Sequence, residues 1–91
     1  MDMNTLKQAI TNVVSARFPG MVVEFDPPRR YGKLHGAFVW DGFAGLSHID
    51  RQHLVWAVLR PELTEEQRLS TGLMLALTTQ ELAAMHEDVA V

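Results

Sequence analysis

A single α+β domain is predicted, with the order helix-strand-strand-helix-strand-helix and a three-stranded mixed sheet covered by helices on one face. Three observations predict it. Apolar residues recur at three- and four-residue intervals from 5 to 18 and again after Ser47, which is the period of an amphipathic helix. Two short apolar runs, Met21 to Phe25 and Leu34 to Trp40, flank a loop broken by Pro27 and Pro28 and read as a hairpin. A third run, Leu73 to Leu77, is too short for an independent helix and reads as a largely buried strand.

The first helix places Leu6, Ile10, Val13, Val14 and Phe18 on one side after a cap at Asn4 or Thr5, and Gly20 sits where it should stop. The loop Asp26 to Lys33 is stiff at its prolines and looser toward Gly32. Ser47 with Asp50 three residues on is a capping pattern, so the second helix starts there. Ile49, Leu54, Val55, Trp56, Val58 and Leu59 span a wide apolar arc, which leaves Asp50, His53 and Arg60 facing water. Pro61 ends or bends this helix, and Thr64 to Gln67 has the composition of a capped extra turn. A right-handed crossover would set the third strand parallel to the second. Thr78-Thr79-Gln80-Glu81 then repeats the capping spacing before a last helix, with fraying expected from Glu87 to Val91.

Ninety-one residues with 47% hydrophobic content suffice for one core, buried somewhat more fully than the roughly 60% typical of a 60-residue domain. The absence of cysteine removes disulfides, thiolate metal sites and cysteine nucleophiles, and suits a reducing cytoplasm. No run approaches the roughly 18 apolar residues of a membrane span, and the start lacks a basic region before an apolar core. The expectation is a soluble, unprocessed cytoplasmic protein. A formal charge of −3 disfavours non-specific attraction to nucleic acid, although Arg29, Arg30 and Lys33 form a local basic cluster.

Phe43, Gly45, Ser47, Arg51, Val55 and Leu59 stand at spacings of two, two, four, four and four. In this the stretch resembles the BolA-like family, which carries phenylalanine, glycine, serine, arginine, valine and leucine on that spacing. The likeness runs from about Leu34 to Leu82, and Thr78 or Thr79 with Glu81 is similar to the family's threonine-proline-x-glutamate segment without its proline. The resemblance implies a small non-catalytic adaptor that pairs with a monothiol glutaredoxin, in iron-sulfur or redox handling or stress regulation. It also implies a two-iron two-sulfur cluster shared between the partners, ligated by a histidine just before the third strand. Here Ser70 or Thr71 takes that place, and neither hydroxyl replaces an imidazole as an iron ligand. The expectation is therefore no cofactor held in the family's usual manner. A histidine brought beside Ser70 and Thr71 by folding, such as His35 or His86, would alter that expectation.

BolA-like folds are similar to one class of KH domain, and Gly42-Phe43-Ala44-Gly45 matches the glycine-x-x-glycine turn of those domains. The same residues serve equally as a tight strand-to-helix turn with Phe43 packed inward. Arg51, within the apolar arc, could meet an acidic partner or a phosphate, or snorkel to the rim and pair with a nearby acid. Arg29-Arg30-Tyr31-Gly32-Lys33 combines charge with an aromatic ring, as in loops that touch phosphates, and also as in ordinary solvated loops. The candidate residues for binding a protein partner or nucleic acid are thus Arg29, Arg30, Lys33, Gly42, Gly45, Arg51, Ser70 and Thr71. The histidines show no metal-binding spacing, and no nucleophile turn or phosphate loop is complete, so neither a metal site nor an enzyme is expected.

Overall fold

A computed structural model describes residues 2–27 and 32–89. Helix α1 (Met3–Arg17) leads to strands β1 (Val22–Phe25) and β2 (Leu34–Val39). Helix α2 (His48–Leu59), the short helix α3 (Glu65–Leu69), strand β3 (Thr71–Leu77) and helix α4 (Thr79–Val89) follow. Strands β1 and β2 are antiparallel, β2 and β3 are parallel, and the sheet order is β1-β2-β3. The crossover from β2 to β3 through α2 thus gives the mixed sheet that the element order predicts.

Helix α1 begins two residues before the expected start because Asp2, not Asn4 or Thr5, is its cap: a carboxylate oxygen accepts from the Asn4 amide at 3.1 Å. An acid there also suits the positive helix end. Its buried residues are Leu6, Ile10 and Val14, one per turn and fully inaccessible. Each such burial stabilises the fold by roughly 1.5–3 kcal/mol relative to an exposed side chain. They join Phe38, Val55, Leu59, Met74 and Ala76 in one core, so α1 and α2 cover the same sheet face.

On α2 the inward stripe is narrower than the predicted arc. Arg51, Val55 and Leu59 are buried one turn apart, whereas Ile49 is 68% exposed and Leu54 lies at the surface. Asp50, His53 and Arg60 face water as expected. Pro61 converts the helix end to a 3-10 turn, Arg60–Glu62, and α3 carries a complete capping box between Thr64 and Gln67.

Period-two alternation puts Ala37, Val39 and Leu77 on the opposite sheet face, where Leu82 of α4 packs against them. Coverage is thus heaviest on the α1 and α2 face, while the first turns of α4 shield one end of the other. Helix α4 reaches Val89, past the point where fraying was expected.

Candidate functional site

The turn between β2 and α2 is built by packing and by two glycines. Residues Asp41–Phe43 form a 3-10 turn, Phe43 is fully buried, and its ring meets Trp40 edge-on at 5.4 Å. A Cβ on Gly42 would come within 2.5 Å of the Trp40 indole, and Gly45 has φ +84, a conformation side chains resist. The amides of Phe43, Ala44 and Leu46 donate to the carbonyls of Trp40, Asp41 and Phe43. A phosphate-binding turn would keep such amides free. Gly42 and Gly45 therefore answer to local geometry, as in a tight turn with Phe43 packed inward.

Arg51 holds this turn to the rest of the molecule. It is 5% exposed, lies 5.7 Å from the Phe43 ring centroid, and its Nε donates to the Leu46 carbonyl at 3.0 Å. Its Nη1 donates to the Ala76 carbonyl at 3.0 Å and to Glu81 at 2.6 Å. Of the two roles open to it in the sequence, pairing with an acid is the one the structure places here, and a direct contact with a partner is excluded by burial. The Arg51 hydrogen bond first, and the Thr78 backbone amide second, pull the Glu81 carboxyl down to about 2. Beside it, Asp41 accepts from the Thr79 hydroxyl at 2.7 Å and from the Thr79 amide at 3.1 Å, which lowers its pKa too.

Both acids are depressed in the folded state, so the stability they contribute is complete above their ordinary range and is lost on acidification. For Glu81 the window runs from its ordinary 4.5 down to about 2. Urea midpoints measured across that range should fall for the natural chain and fall less for Glu81→Gln. Equal slopes would show that Arg51 does not hold this carboxylate.

The other candidates are dispersed. Lys33 is exposed at the start of β2, and Arg29 and Arg30 lie outside the described residues. Ser70 caps α3, donating its amide to Glu66 and accepting from the Leu34 amide at 2.8 Å. Thr71 is 9% exposed, and its hydroxyl donates to the Gln67 carbonyl at 2.9 Å. These two residues join α3 to β3.

Beside them stands a feature that no spacing announced. The register runs from Leu34 opposite Thr71 to Gly36 opposite Met74, so β3 carries one extra residue. His35 absorbs it: Nδ1 accepts the Leu73 amide at 3.0 Å, and the ring edge lies where a Cβ on Gly72 would come within 2.5 Å of Cε1. An amide can only donate, so Nδ1 is the acceptor. Gly72, the second residue of β3, is what admits this ring.

His35 borders a groove of about 410 Å³ on the sheet face away from α1 and α2. Leu73, Leu75 and Leu77 form its floor, Leu82 and Met85 of α4 one wall, and Glu24 and Asp26 its acidic rim. Leu73 is 62% exposed and Met85 42%, an unusual outlay of apolar surface for so small a domain.

The fold is similar to that of a solved structure, BolA1 from Arabidopsis thaliana. The two share 18% identity over 84% of this chain and 94% of that one, with a TM-score of 0.54. The fold is BolA-like. No family model and no curated protein matches the chain.

The resemblance implied a cluster ligand, an imidazole, just before β3. Ser70 and Thr71 supply hydroxyls, and that of Thr71 is committed to Gln67. His35 comes beside this point, as its contact with Gly72 shows, and its Nδ1 accepts from the Leu73 amide. Among the described residues no group of three or more His, Cys, Asp or Glu side chains could hold a metal. Folding thus sets an imidazole, that of His35, beside the place where the sequence offers only the hydroxyls of Ser70 and Thr71. Nor is any helix among the described residues long and apolar enough to cross a membrane.

Proposed function

We propose that the protein is a non-catalytic cytoplasmic adaptor that docks a protein partner, a monothiol glutaredoxin, on the sheet face bordered by α4. The observation that carries this reading is the apolar groove with Leu73 and Met85 at its surface, set in a BolA-like fold. Exposed leucine and methionine flanked by a few polar groups are the composition of a protein-docking patch. The glutaredoxin itself comes from the family resemblance.

The nucleic-acid reading loses its supports one by one. The amides of Phe43, Ala44 and Leu46 in the glycine turn are spent internally and Arg51 is buried, which leaves Lys33 as the exposed basic candidate among the described residues.

Calorimetry with a monothiol glutaredoxin from the same source, apo and cluster-loaded, tests the proposal. Association is expected at micromolar concentrations, weakened about tenfold or more by Leu73→Asp, which puts a charge into the apolar contact. No heat at tens of micromolar would remove this reading. The mixed complex should hold its cluster weakly, since hydroxyls occupy the histidine position. A visible spectrum with histidine-type ligation would contradict that expectation.

A further inference from the structure

A second surface lies on the other side of the molecule, where α2 turns into α3. His53, Trp56, Ala57 and Arg60 recur at i, i+3, i+4 and i+7, so they share one outward strip of α2. With Pro61 and Arg68 they line a shallow groove of about 600 Å³. Ile49, 68% exposed, continues the strip by one turn.

Trp56 is held in place: its Nε1 donates to the Gln52 side chain at 3.1 Å and its ring meets Phe38 edge-on at 6.4 Å. Arg68 is held as well, because its Nη1 donates to the carbonyls of Arg60 at 3.1 Å and Leu63 at 2.8 Å. Guanidinium carries five donors in a planar fork, so those on Nε and Nη2 remain for a ligand already aligned. Among the described residues neither Arg60 nor Arg68 has a carboxylate partner, and no acid lines the groove. In a chain of formal charge −3 this patch stands out by its sign.

We infer that this groove binds an acidic segment of a protein partner, with a carboxylate on the Arg60 and Arg68 guanidinium groups and an apolar side chain against Trp56 and Pro61. An ordered tryptophan beside arginines, without lysine, has the composition of an interface centre. Two arginines suffice for carboxylates, whereas a long polyanion would also meet the negative charge of the whole molecule. The surface is separate from the sheet-face groove, so failure of glutaredoxin docking leaves it untouched.

The test is a nuclear magnetic resonance titration of the full chain with a short capped peptide carrying aspartates and glutamates on either side of a leucine. The same peptide with lysines, and an oligothymidylate strand, are the comparisons. The Trp56 indole N–H and the amides of His53, Ala57 and Arg60 should shift together with the acidic peptide at sub-millimolar concentration. Arg60→Glu should weaken binding about tenfold without moving the urea midpoint, because the Arg60 side chain is exposed and a reversed rim charge acts on association. The inference is overturned by any of four results. These are no shift at millimolar peptide, equal shifts with the lysine peptide, unchanged binding by Arg60→Glu, or tighter binding of oligothymidylate at the same residues.

Discussion

Arg51→Ala is expected to be among the most damaging single substitutions in this protein. It strands the Leu46 and Ala76 carbonyls that the guanidinium satisfies and leaves a hole beside Phe43. Two lost hydrogen bonds from a charged donor, one to a buried acceptor and one to a partly buried acceptor, amount to about 3 kcal/mol. The Glu81 ion pair is left out of that figure because the carboxylate is partly in water. A domain of this length has roughly 5–14 kcal/mol in total, so the loss should lower the melting temperature by roughly 12–24 °C. Arg51→Lys should recover less than half, since an ammonium on a flexible stem cannot reproduce a fixed fork aimed at three acceptors. Urea denaturation of the three proteins decides the matter. A loss below about 1 kcal/mol for Arg51→Ala would mean that water replaces the guanidinium without penalty.

Gly36→Ala should cost at least as much, for a backbone reason. Gly36 pairs with Phe25 across the hairpin, and a Cβ there would overlap the Glu24 carbonyl oxygen while standing 3.0 Å from the Phe25 Cα. Neither neighbour is the flexible end of a side chain. Strand β1 must therefore move away from β2, at a cost of about 3 kcal/mol or more, the upper end of what overpacking usually exacts. Hydrogen exchange should locate the damage: protection lost along Val22–Phe25 while β3 keeps its own. Uniform loss across the sheet, or none, would place the constraint elsewhere.

These two positions show what the sequence could and could not convey. Ser47, Val55 and Leu59 announced a capped helix with its apolar stripe inward, and the structure has the cap and both burials. Leu73 to Leu77 announced a strand, and it is one, parallel to β2. The element order, with the spacing from Phe43 to Leu59, was enough to suggest the BolA-like fold that the comparison with a solved structure supports. Local signals of this kind are legible because cap, period and turn are set by residues a few positions apart. The acid that pairs with Arg51 was not legible, since Glu81 is 30 positions away and its capping role explained it fully in one dimension. His35 was equally opaque: nothing in a sequence links it to the amide of Leu73, 38 residues later. Ile49 misled for the opposite reason: counted into a wide apolar arc, it stands roughly 120° around the helix from the middle of the Arg51, Val55 and Leu59 stripe and faces away from the sheet.

Gln52 donates to the Met74 carbonyl and Arg51 to that of Ala76, and β3 has a strand neighbour on one side only. The oxygens along its outer rim, which would otherwise template a further strand, are thus already claimed by side chains from α2. Edge-to-edge pairing through β3 would have to compete with both donors for these oxygens. The arginine that fixes the interior thus also makes this border a poorer template for fibre-like growth.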